Sequence, residues 1–561
     1  MSDSFNPVGN KSDFSTGQEK SPEADTHTGF TRRIGAFTIG TLVSRIMGLV
    51  RESVFAFLFG AGFATDAFNA AFRIPNLLRD LFAESALSAA FVPTFVENLT
   101  KKDRKEVWRF ASNMFNTMVI FVGLIVVLGI IFSPLVVKVI AMGFGKIPGK
   151  QELTTSLTRV MFPFLLFISL AAWAMGILNA FRSFFVPAVA PAFFNLFSIL
   201  IPVAAYSYFT KIGVNPILGM AYGVTIGAVV QFLVQLPSIF RRGFHYEFYI
   251  NLKDPELRRV FLLWLPMILG FASFQINFAI NTFLVAFLEQ GSMTYLNYAY
   301  RVMHLPAGLF GVAIGGVALA EFSRAVSLDS IAIMKNRLKH SLDLVAVLTI
   351  PVSVLLFILA TPVCRLIYER GRFSAQDTVF TAQALMLYSL GVPFASAARS
   401  VAASFYSLRD TKTPAIVGMI IVVLNTAMNL SLMWVLRFRS FPITTTTCAA
   451  INFLILLIIL RRKIGMVEMK NTLFLTLKIT LISLVGGIFA LGLSHLLNHL
   501  FIHKTIINKA IQVLFAGGFG LVIFYLLSLI FKIKEVKTAV LEFLRRPKKV
   551  PVTVPATPNK F

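Results

Sequence analysis

Residues 117–137 read TMVIFVGLIVVLGIIFSPLVV and contain no charged side chain. A helix needs about 20 mainly apolar residues to cross the hydrocarbon core of a bilayer. Similar runs recur along most of the chain, and they are continuous, which excludes the alternating pattern of a membrane β-barrel. The chain is 56% hydrophobic and 14% charged, whereas a soluble domain has about 25% charged residues. The sequence therefore predicts an all-α polytopic membrane protein.

We expect about fourteen transmembrane helices. Basic residues concentrate in the loops after the second, sixth, eighth and twelfth of these helices. The positive-inside rule then puts those loops and both termini in the cytoplasm. This placement assigns the formal net charge of +26 to membrane topology and not to nucleic-acid binding. The predicted helices cover approximately residues 33–60, 67–97, 108–142, 154–180, 185–209, 214–240, 256–289, 293–323, 338–368, 377–407, 412–436, 442–462, 472–497 and 506–532.

A weak internal repeat organises the chain. Asn69 and Arg73 recur as Asn297 and Arg301, 228 residues later. Six predicted helices separate the copies, so both copies have the same orientation, as in transporters with a parallel pseudo-twofold repeat. The two terminal segments are polar, and the first is predicted to be disordered. The expected segments are a cytoplasmic tail at 1–29, six-helix lobes at 30–241 and 242–463, two extra helices within 464–532, and a second cytoplasmic tail at 533–561.

The second predicted helix carries a polar stripe. Steps of three or four residues keep these side chains within about 120° of one another around the helix. A charge at mid-membrane costs about 2.5–3.5 kcal/mol, so the stripe should face a wet cavity or buried partners. The stripe consists of Asp66, Asn69, Arg73, Asn76, Asp80, Glu84 and Ser88. The first helix adds Arg45, Arg51 and Glu52, and the eighth adds Asn297, Arg301 and His304.

An excess of arginines over acids in one cavity indicates a polyanionic ligand. Arginine donates two parallel hydrogen bonds to a phosphate and stays charged. An alternative interpretation makes Arg45–Glu52, Arg51–Asp66 and Arg73–Asp80 structural ion pairs that only fix helix packing. The sequence has no glycine-rich phosphate loop and no cluster with metal-ligand spacing. We therefore expect no cofactor, no metal and no enzymatic activity.

Several stretches carry a resemblance to a known family. They are SRIMGLVRE at 44–52, GAGFATDAF at 60–68, RIPNLLR at 73–79, AFVP at 90–93, YAYRVM at 298–303 and DTKTP at 410–414. Over roughly residues 30–530 the sequence resembles the MurJ (MviN) lipid II flippases of the multidrug/oligosaccharidyl-lipid/polysaccharide exporter superfamily. The resemblance implies two six-helix lobes and two extra helices. It also implies alternating-access export of undecaprenyl-diphosphate-linked peptidoglycan precursor from the inner to the outer leaflet of the bacterial plasma membrane.

The resemblance also implies roles for single residues. Four arginines match the family's cavity arginines, which are expected to hold the diphosphate, and Asp66 matches a functionally important acid. With the stripes, the candidate substrate-binding residues are Arg45, Arg51, Arg79, Arg301, Asp66, Asn69, Arg73 and Asn297, and the gating or coupling candidates are Glu52, Asp80, Glu84 and His304. Some members have an acid where His304 stands, and the seventh helix here has no Asp or Glu between its end residues Glu256 and Glu289, so no sodium site is expected. Arg79 lies about 60° from Asn76 on an ideal helix, outside the stripe unless a kink near Pro75 turns it inward.

The expected partners are lipid II and membrane lipids, with cell-wall synthesis proteins as further candidates and no nucleic acid. Transport would be driven by the membrane potential, by an ion gradient or by both. Two charges crossing the full field are worth about 5 kcal/mol per 100 mV. Alternatives are a cation-coupled drug exporter, or an exporter of another polyprenyl-linked oligosaccharide, from the same superfamily. An alternative of another class is a non-transporting scaffold or a lipid-processing enzyme.

Overall fold

The structure is a computed structural model. It describes residues 24–80, 86–328, 330–465, 469–501 and 505–538. For residues 24–39 and a few later positions it describes the backbone only. Every regular element in these ranges is a helix, as predicted. The terminal tails, apart from their inner ends, and the gating candidate Glu84 lie outside the described residues.

The described residues form twenty-one α-helices, of which ten belong to the first half of the chain. A short 3-10 turn, Met142–Lys146, follows the fifth. The helices are α1 (Ala24–Phe59), α2 (Phe63–Arg79), α3 (Ala86–Lys101), α4 (Arg104–Ile131), α5 (Ser133–Ile140), α6 (Lys150–Met161), α7 (Pro163–Ala180), α8 (Phe185–Lys211), α9 (Leu218–Leu233) and α10 (Leu236–Phe240).

The second half contains eleven. A π-helical segment, Ala307–Val312, connects α12 to α13, and a 3-10 turn, Arg437–Arg439, precedes α19. The helices are α11 (Pro255–Val285), α12 (Ser292–Pro306), α13 (Ala313–Ser327), α14 (Ile331–Ile358), α15 (Ala360–Ile367), α16 (Ala375–Ser389), α17 (Val392–Ser407), α18 (Lys412–Leu436), α19 (Ser440–Ile464), α20 (Lys470–Leu500) and α21 (Ile506–Ile530).

Each predicted transmembrane segment coincides with one helix or with successive helices separated by a short break. Proline explains several breaks, because Pro134, Pro163 and Pro393 lie in the first turn of α5, α7 and α17, where a missing N–H costs least. Within the described ranges, nine helical stretches are long and apolar enough to cross a membrane. One of these, Lys412–Ile464, contains both α18 and α19. The total of fourteen spans stays a prediction.

Equivalent turns occur 227 residues apart. Arg182 and Arg409 both adopt the left-handed backbone conformation, with φ of 56° and 59°. In each turn the next N–H reaches back five residues, from Ser183 to the Leu178 carbonyl and from Asp410 to that of Phe405, at 2.9 Å in both. Such matching geometry supports the predicted duplication, which itself stays a prediction.

The helices pack in two groups with an appended pair. In the first half α8 packs on α1 and α9, and α2 packs on α6. In the second half α17 packs on α13, α14 and α19. The pair α20–α21 lies on α14, and its helices approach closely because a Cβ on Gly486 would lie 2.7 Å from the carbonyl oxygen of Gly520.

The two halves contact each other at the bundle end that we call the closed end (residues 57–66, 143–150, 286–294 and 367–373). At the opposite end, ion pairs join Glu97 to Arg259 and Lys102 to Glu256. At the closed end, Arg372 N donates to Phe57 O at 3.0 Å, and Ser53 Oγ donates to Ile367 O at 2.6 Å. Gly143 faces the Ala286 carbonyl so closely that an added Cβ would overlap it. Backbone contacts of this kind leave no gap between the halves at these positions.

Candidate binding cavity

An ion triad joins α1 to α12 beside the closed end. Glu52 Oε1 accepts from Arg51 Nη2 at 2.7 Å and lies 2.6 Å from Arg301 Nη1. The Glu52 side chain is 6% exposed and that of Arg301 is 37% exposed. The charge of Arg79 also acts on Arg51, in addition to that of Arg301. Arg51 and Arg301 therefore share the Glu52 carboxylate.

A cavity of about 220 Å³ begins at Arg301 and extends between α2, α11 and α12. Arg73 lies across it with its guanidinium 4.1 Å from the Phe278 ring centroid, and the Arg73 Nε is buried without a hydrogen-bond partner among the described residues. No described carboxylate lines the cavity. Its polar lining consists of Asn69, Arg73, Asn76, Asn277, Asn281, Thr282, Asn297, Tyr300, Arg301, Tyr388 and Thr445.

This lining can bind an anion. Two guanidinium groups supply the positive charge, and five asparagine amides supply neutral N–H donors. Burial away from bulk water strengthens each charge-assisted hydrogen bond. Among the predicted substrate-binding residues, the cavity brings together Asn69, Arg73, Asn297 and Arg301.

Asp66 lies outside the cavity, in the closed end. Its side chain is 2% exposed and pairs with Lys150 Nζ at 3.2 Å, which is itself 1% exposed. Asp66 also accepts from Gly291 N at 2.7 Å and from Thr294 N and Oγ1 at 3.1 and 2.8 Å. The carboxylate therefore caps the start of α12, where the helix dipole favours a negative charge. Its place in the structure is that of a link between the halves and not of a substrate contact.

Three other predicted arginines, Arg45, Arg51 and Arg79, do not line this cavity. Arg79 pairs with its neighbour Asp80 at 2.7 Å, and Asp80 also accepts from Gln275 Nε2 at 3.0 Å. α2 continues as a helix through Pro75, and Arg79 is not turned into the cavity. Arg45 is exposed on α1, six residues before the buried Arg51. The expected common sector of Arg45 and Arg51 is therefore split into an exposed and a buried position.

The three ion pairs considered from the sequence, Arg45–Glu52, Arg51–Asp66 and Arg73–Asp80, do not form between the described residues. Glu52 pairs with Arg51 and Arg301, Asp66 with Lys150, and Asp80 with Arg79. Arg51 and Arg79 pair with the next residue in the sequence, whereas helix packing brings Lys150 to Asp66 and Arg301 to Glu52. Only the expectation that the acids have buried partners holds for Glu52 and Asp66.

His304 lies behind the cavity. Its ring centroid is 4.1 Å from that of Tyr300, which does line the cavity. Nearby, Arg399 Nη1 donates to Ala307 O at 3.1 Å, in the π-helical segment where carbonyls lose their helical partners. A Cβ on Gly311 would lie 2.7 Å from Arg399 Nη1. Gly311 thus makes room for an arginine, beyond merely permitting helix packing.

Sequence reasoning missed Arg399, Lys150 and the asparagines of α11. Arg399 is detectable in principle, because it is a charge in the middle of the predicted tenth span. Lys150 falls in the predicted loop between the helices at 108–142 and 154–180, and no signal in the sequence indicates that its side chain is buried. The amides Asn277 and Asn281 are uncharged, so they do not stand out in an apolar run. Among the described residues no group of three or more His, Cys, Asp and Glu side chains could hold a metal ion.

Comparison with known proteins identifies the chain's relatives. The family model described as "Lipid II flippase MurJ" matches residues 55–511. The chain belongs to the MurJ family. This membership makes it a member of a transporter family and not of an enzyme family, and a multi-pass bacterial membrane protein.

Curated MurJ relatives match most of the chain. A "probable lipid II flippase MurJ" of Buchnera aphidicola subsp. Acyrthosiphon pisum is 32% identical over 476 residues, 85% of this chain and 92% of that protein. Its counterpart in Vibrio cholerae is 34% identical over 427 residues, 74% and 80% of the two chains. The match therefore extends over both halves of the chain.

A solved MurJ structure has the same fold. It is titled "Lipid II flippase MurJ, inward closed conformation", is 28% identical, and superposes with a TM-score of 0.71 over 89% of this chain and 99% of that one. An inward-facing multidrug transporter of the MATE family superposes with a TM-score of 0.59 at 14% identity. The second likeness concerns the fold alone. Together they confirm the fold class and the family predicted from the sequence.

Proposed function

We propose that this chain is a lipid II flippase, which moves undecaprenyl-diphosphate-linked peptidoglycan precursor from the inner to the outer leaflet of the bacterial plasma membrane. The observation that carries the proposal is the cavity lined by Arg73 and Arg301 without a described carboxylate. A diphosphate carries about two negative charges, which two guanidinium groups can neutralise. The curated relatives carry the same activity in their names.

Arg301 would be the contact that links substrate binding to conformational change. Its guanidinium belongs to the cavity lining and also to the ion triad with Glu52. An incoming diphosphate would compete with Glu52 for this arginine. Loss of the Arg301–Glu52 pair would weaken the link between α1 and α12, and the binding of substrate would thereby favour rearrangement of the halves.

Asp66 would hold the closed end. The carboxylate joins α2 to Lys150 and to the start of α12 through four described contacts. We assign the closed end to the outer face, because both termini and the basic loops are proposed to be cytoplasmic. Alternating access would then require these contacts to break when the cavity opens outward, with the lobes at 30–241 and 242–463 moving relative to each other.

An inside-negative potential favours this direction of transport. At about 2.3 kcal/mol per charge per 100 mV, two charges crossing the full field gain about 5 kcal/mol per 100 mV. The potential alone would therefore suffice to drive export.

Arg45 and Arg79 keep a proposed role at the edges of the path, with Asp80 and His304 behind it. Cell-wall synthesis proteins remain candidate partners that accept the exported precursor.

Complementation tests the proposal directly. Cells depleted of their own flippase would receive the wild-type chain, Arg301→Ala, Arg73→Ala, or the control Arg437→Ala. Arg437 lies outside the cavity, and its exposed ion pair with Glu289 joins two residues of the second half. We expect the wild type and the control to restore growth and both cavity variants to fail at equal membrane abundance. Failure of an expressed and inserted wild type would contradict the assignment. Lipid II binding by native mass spectrometry separates this function from drug export by a related transporter.

A further inference from the structure

A second, strongly basic pocket of about 540 Å³ lies at the bundle end opposite the closed end. The start of α4, the turn after α10 and the segment that connects the two halves surround it. Its lining includes Arg104, Lys105, Arg109 and Arg242 with a single acid, Glu247. The pocket is far from the proposed transport cavity in the fold and shares no lining residue with it.

Two of these cationic side chains lie over the same aromatic ring. Arg104 and Arg242 both lie over the ring of Phe181, with guanidinium carbons 5.4 and 5.8 Å from its centroid. The only described ion pair in the pocket is the one between Arg109 and Glu247, at 3.6 Å. Like charges held beside one ring repel each other, and an anion in the pocket would offset that repulsion.

A neighbouring segment exposes apolar side chains beside these cations. Phe248, Ile250 and Leu252 have exposed side chains, and Phe248 and Leu252 are 78% and 69% exposed. The intervening residues are fixed to α4, since Asn251 N donates to Asn113 Oδ1 at 2.8 Å and Asn116 Nδ2 donates to Tyr249 O at 3.1 Å. The segment is therefore held in place with its apolar side chains unburied.

We propose that this pocket binds the phosphate of an anionic lipid headgroup, with the side chains of Phe248, Ile250 and Leu252 in the lipid layer beside it. Two observations favour a lipid over an acidic protein. The pocket lies where α4 begins and α10 ends, and the flanking side chains are apolar and exposed. Basic pockets at helix ends on the cytoplasmic side suit such headgroups. The proposal does not depend on the flippase assignment.

The test uses the full chain in a neutral detergent. Short-chain phosphatidylglycerol, the matching phosphatidylcholine, inorganic phosphate and poly-glutamate are titrated, with melting temperature and native mass spectrometry as readouts. We expect saturable stabilisation by phosphatidylglycerol and none by phosphatidylcholine. Arg104→Ala/Arg242→Ala should weaken the phosphatidylglycerol affinity at least tenfold. The control Arg258→Ala/Arg324→Ala removes two exposed arginines from the same end and should change the affinity less than twofold.

Phe248→Ser/Leu252→Ser separates the two parts of the site. It should weaken phosphatidylglycerol binding severalfold and leave phosphate binding unchanged. Equal affinity for inorganic phosphate and phosphatidylglycerol would overturn the lipid assignment in favour of a free anion, and tighter binding of poly-glutamate would overturn it in favour of an acidic protein. If the alanine pair is unstable without lipid, Arg104→Gln/Arg242→Gln keeps part of the stems on Phe181 and makes the same test. Unchanged phosphatidylglycerol binding in a folded pair would refute the site.

Discussion

Arg301 Nη1 lies 2.6 Å from Glu52 Oε1, and this contact joins α12 in the second half of the chain to α1 in the first. The same arginine lines the central cavity. Arg51 shares the Glu52 oxygen at 2.7 Å, so one buried carboxylate pairs with two arginines and leaves one positive charge in excess. Any anion that binds Arg301 therefore changes the balance of charge at the contact between the halves.

The first prediction concerns Glu52→Gln. The amide keeps the size of the side chain but removes the charge that competes for Arg301. We expect lipid II to bind at least as tightly as to the wild type, while growth complementation falls at least tenfold because the halves lose their charged link. Native mass spectrometry and complementation measure the two effects. Glu321→Gln, which alters an ion pair with Arg337 outside both the cavity and the closed end, is the control. Weaker lipid II binding by Glu52→Gln would refute the competition.

The second prediction concerns the closed end. Asp66→Asn leaves the buried Lys150 without its counter-charge, which costs about 3–5 kcal/mol for a buried pair. Spin labels are placed at the exposed positions Lys146 and Gln290, in a background with Cys364 and Cys448 replaced by alanine. The distance between the labels, measured by electron paramagnetic resonance, should become longer and its distribution broader.

A double variant controls for general destabilisation of the same region. Asp66→Asn/Lys150→Met removes both charges and should restore part of the wild-type distance distribution, because no unpaired buried charge remains. Identical distances in the wild type and in Asp66→Asn would show that this pair does not hold the closed end.

The third prediction uses two glycines in one turn. Gly143 faces the backbone of Ala286, so Gly143→Ala should force the halves apart and reduce complementation severalfold. Gly145→Ala meets only the flexible end of Gln151, at 3.2 Å, and should behave like the wild type. Equal activity of the two variants at equal abundance would show that close contact at Ala286 is dispensable.

The positions of the helices could be predicted from the sequence, whereas the helices and side chains that each one contacts could not. A continuous apolar run such as 117–137 identifies a buried or lipid-facing helix from its own composition. The pair of Asp66 and Lys150 joins residues 84 positions apart, and it exists only because α2 packs on α6. Spacing along one helix correctly put Asn69 and Arg73 on a common face. It could not tell that Asp66, one turn earlier, leaves the cavity for the closed end.

The arginines show the same limit. Arg301 was identified both by the repeat and by its burial cost, and it does reach the cavity. Arg45 lies on the same predicted sector as Arg51 but is exposed, because α8 covers only part of α1. A resemblance assigns a role to a position, but the packing of neighbouring helices decides which side chain reaches the cavity in a given conformation.

The fourth prediction concerns the π-helical segment. A Cβ on Gly311 would lie 2.6 Å from Ser396 Oγ and 2.7 Å from Arg399 Nη1. Gly311→Ala should therefore displace Arg399 from the Ala307 carbonyl and lower the melting temperature by several degrees. Gly308→Ala has open space around its Cβ and should have little effect. A melting temperature of Gly311→Ala equal to that of Gly308→Ala would contradict the role given to Arg399.

The fifth prediction concerns pH. At the turn before α18, hydrogen bonds from Lys463 and then from Thr413 lower the pKa of Asp410 to about 2 from an ordinary value of 3.8. A lowered pKa stabilises the folded state above the ordinary value, and that contribution is lost as the pH falls toward 2. The stability difference between wild type and Asp410→Asn should be constant from pH 7 to pH 5 and shrink below pH 4. Thermal unfolding across this range measures it, and a pH-independent difference would contradict the pairing.

The central claim is that Arg301 binds the diphosphate of lipid II during export driven by the membrane potential. Its most direct test is translocation of lipid II in proteoliposomes, measured with and without an imposed potential for the wild type, Arg301→Ala and the exposed control Arg437→Ala. We predict that the potential accelerates the wild type and the control, and that Arg301→Ala is at least tenfold slower under both conditions. Translocation that is indifferent to the potential and unaffected by Arg301→Ala would contradict the claim.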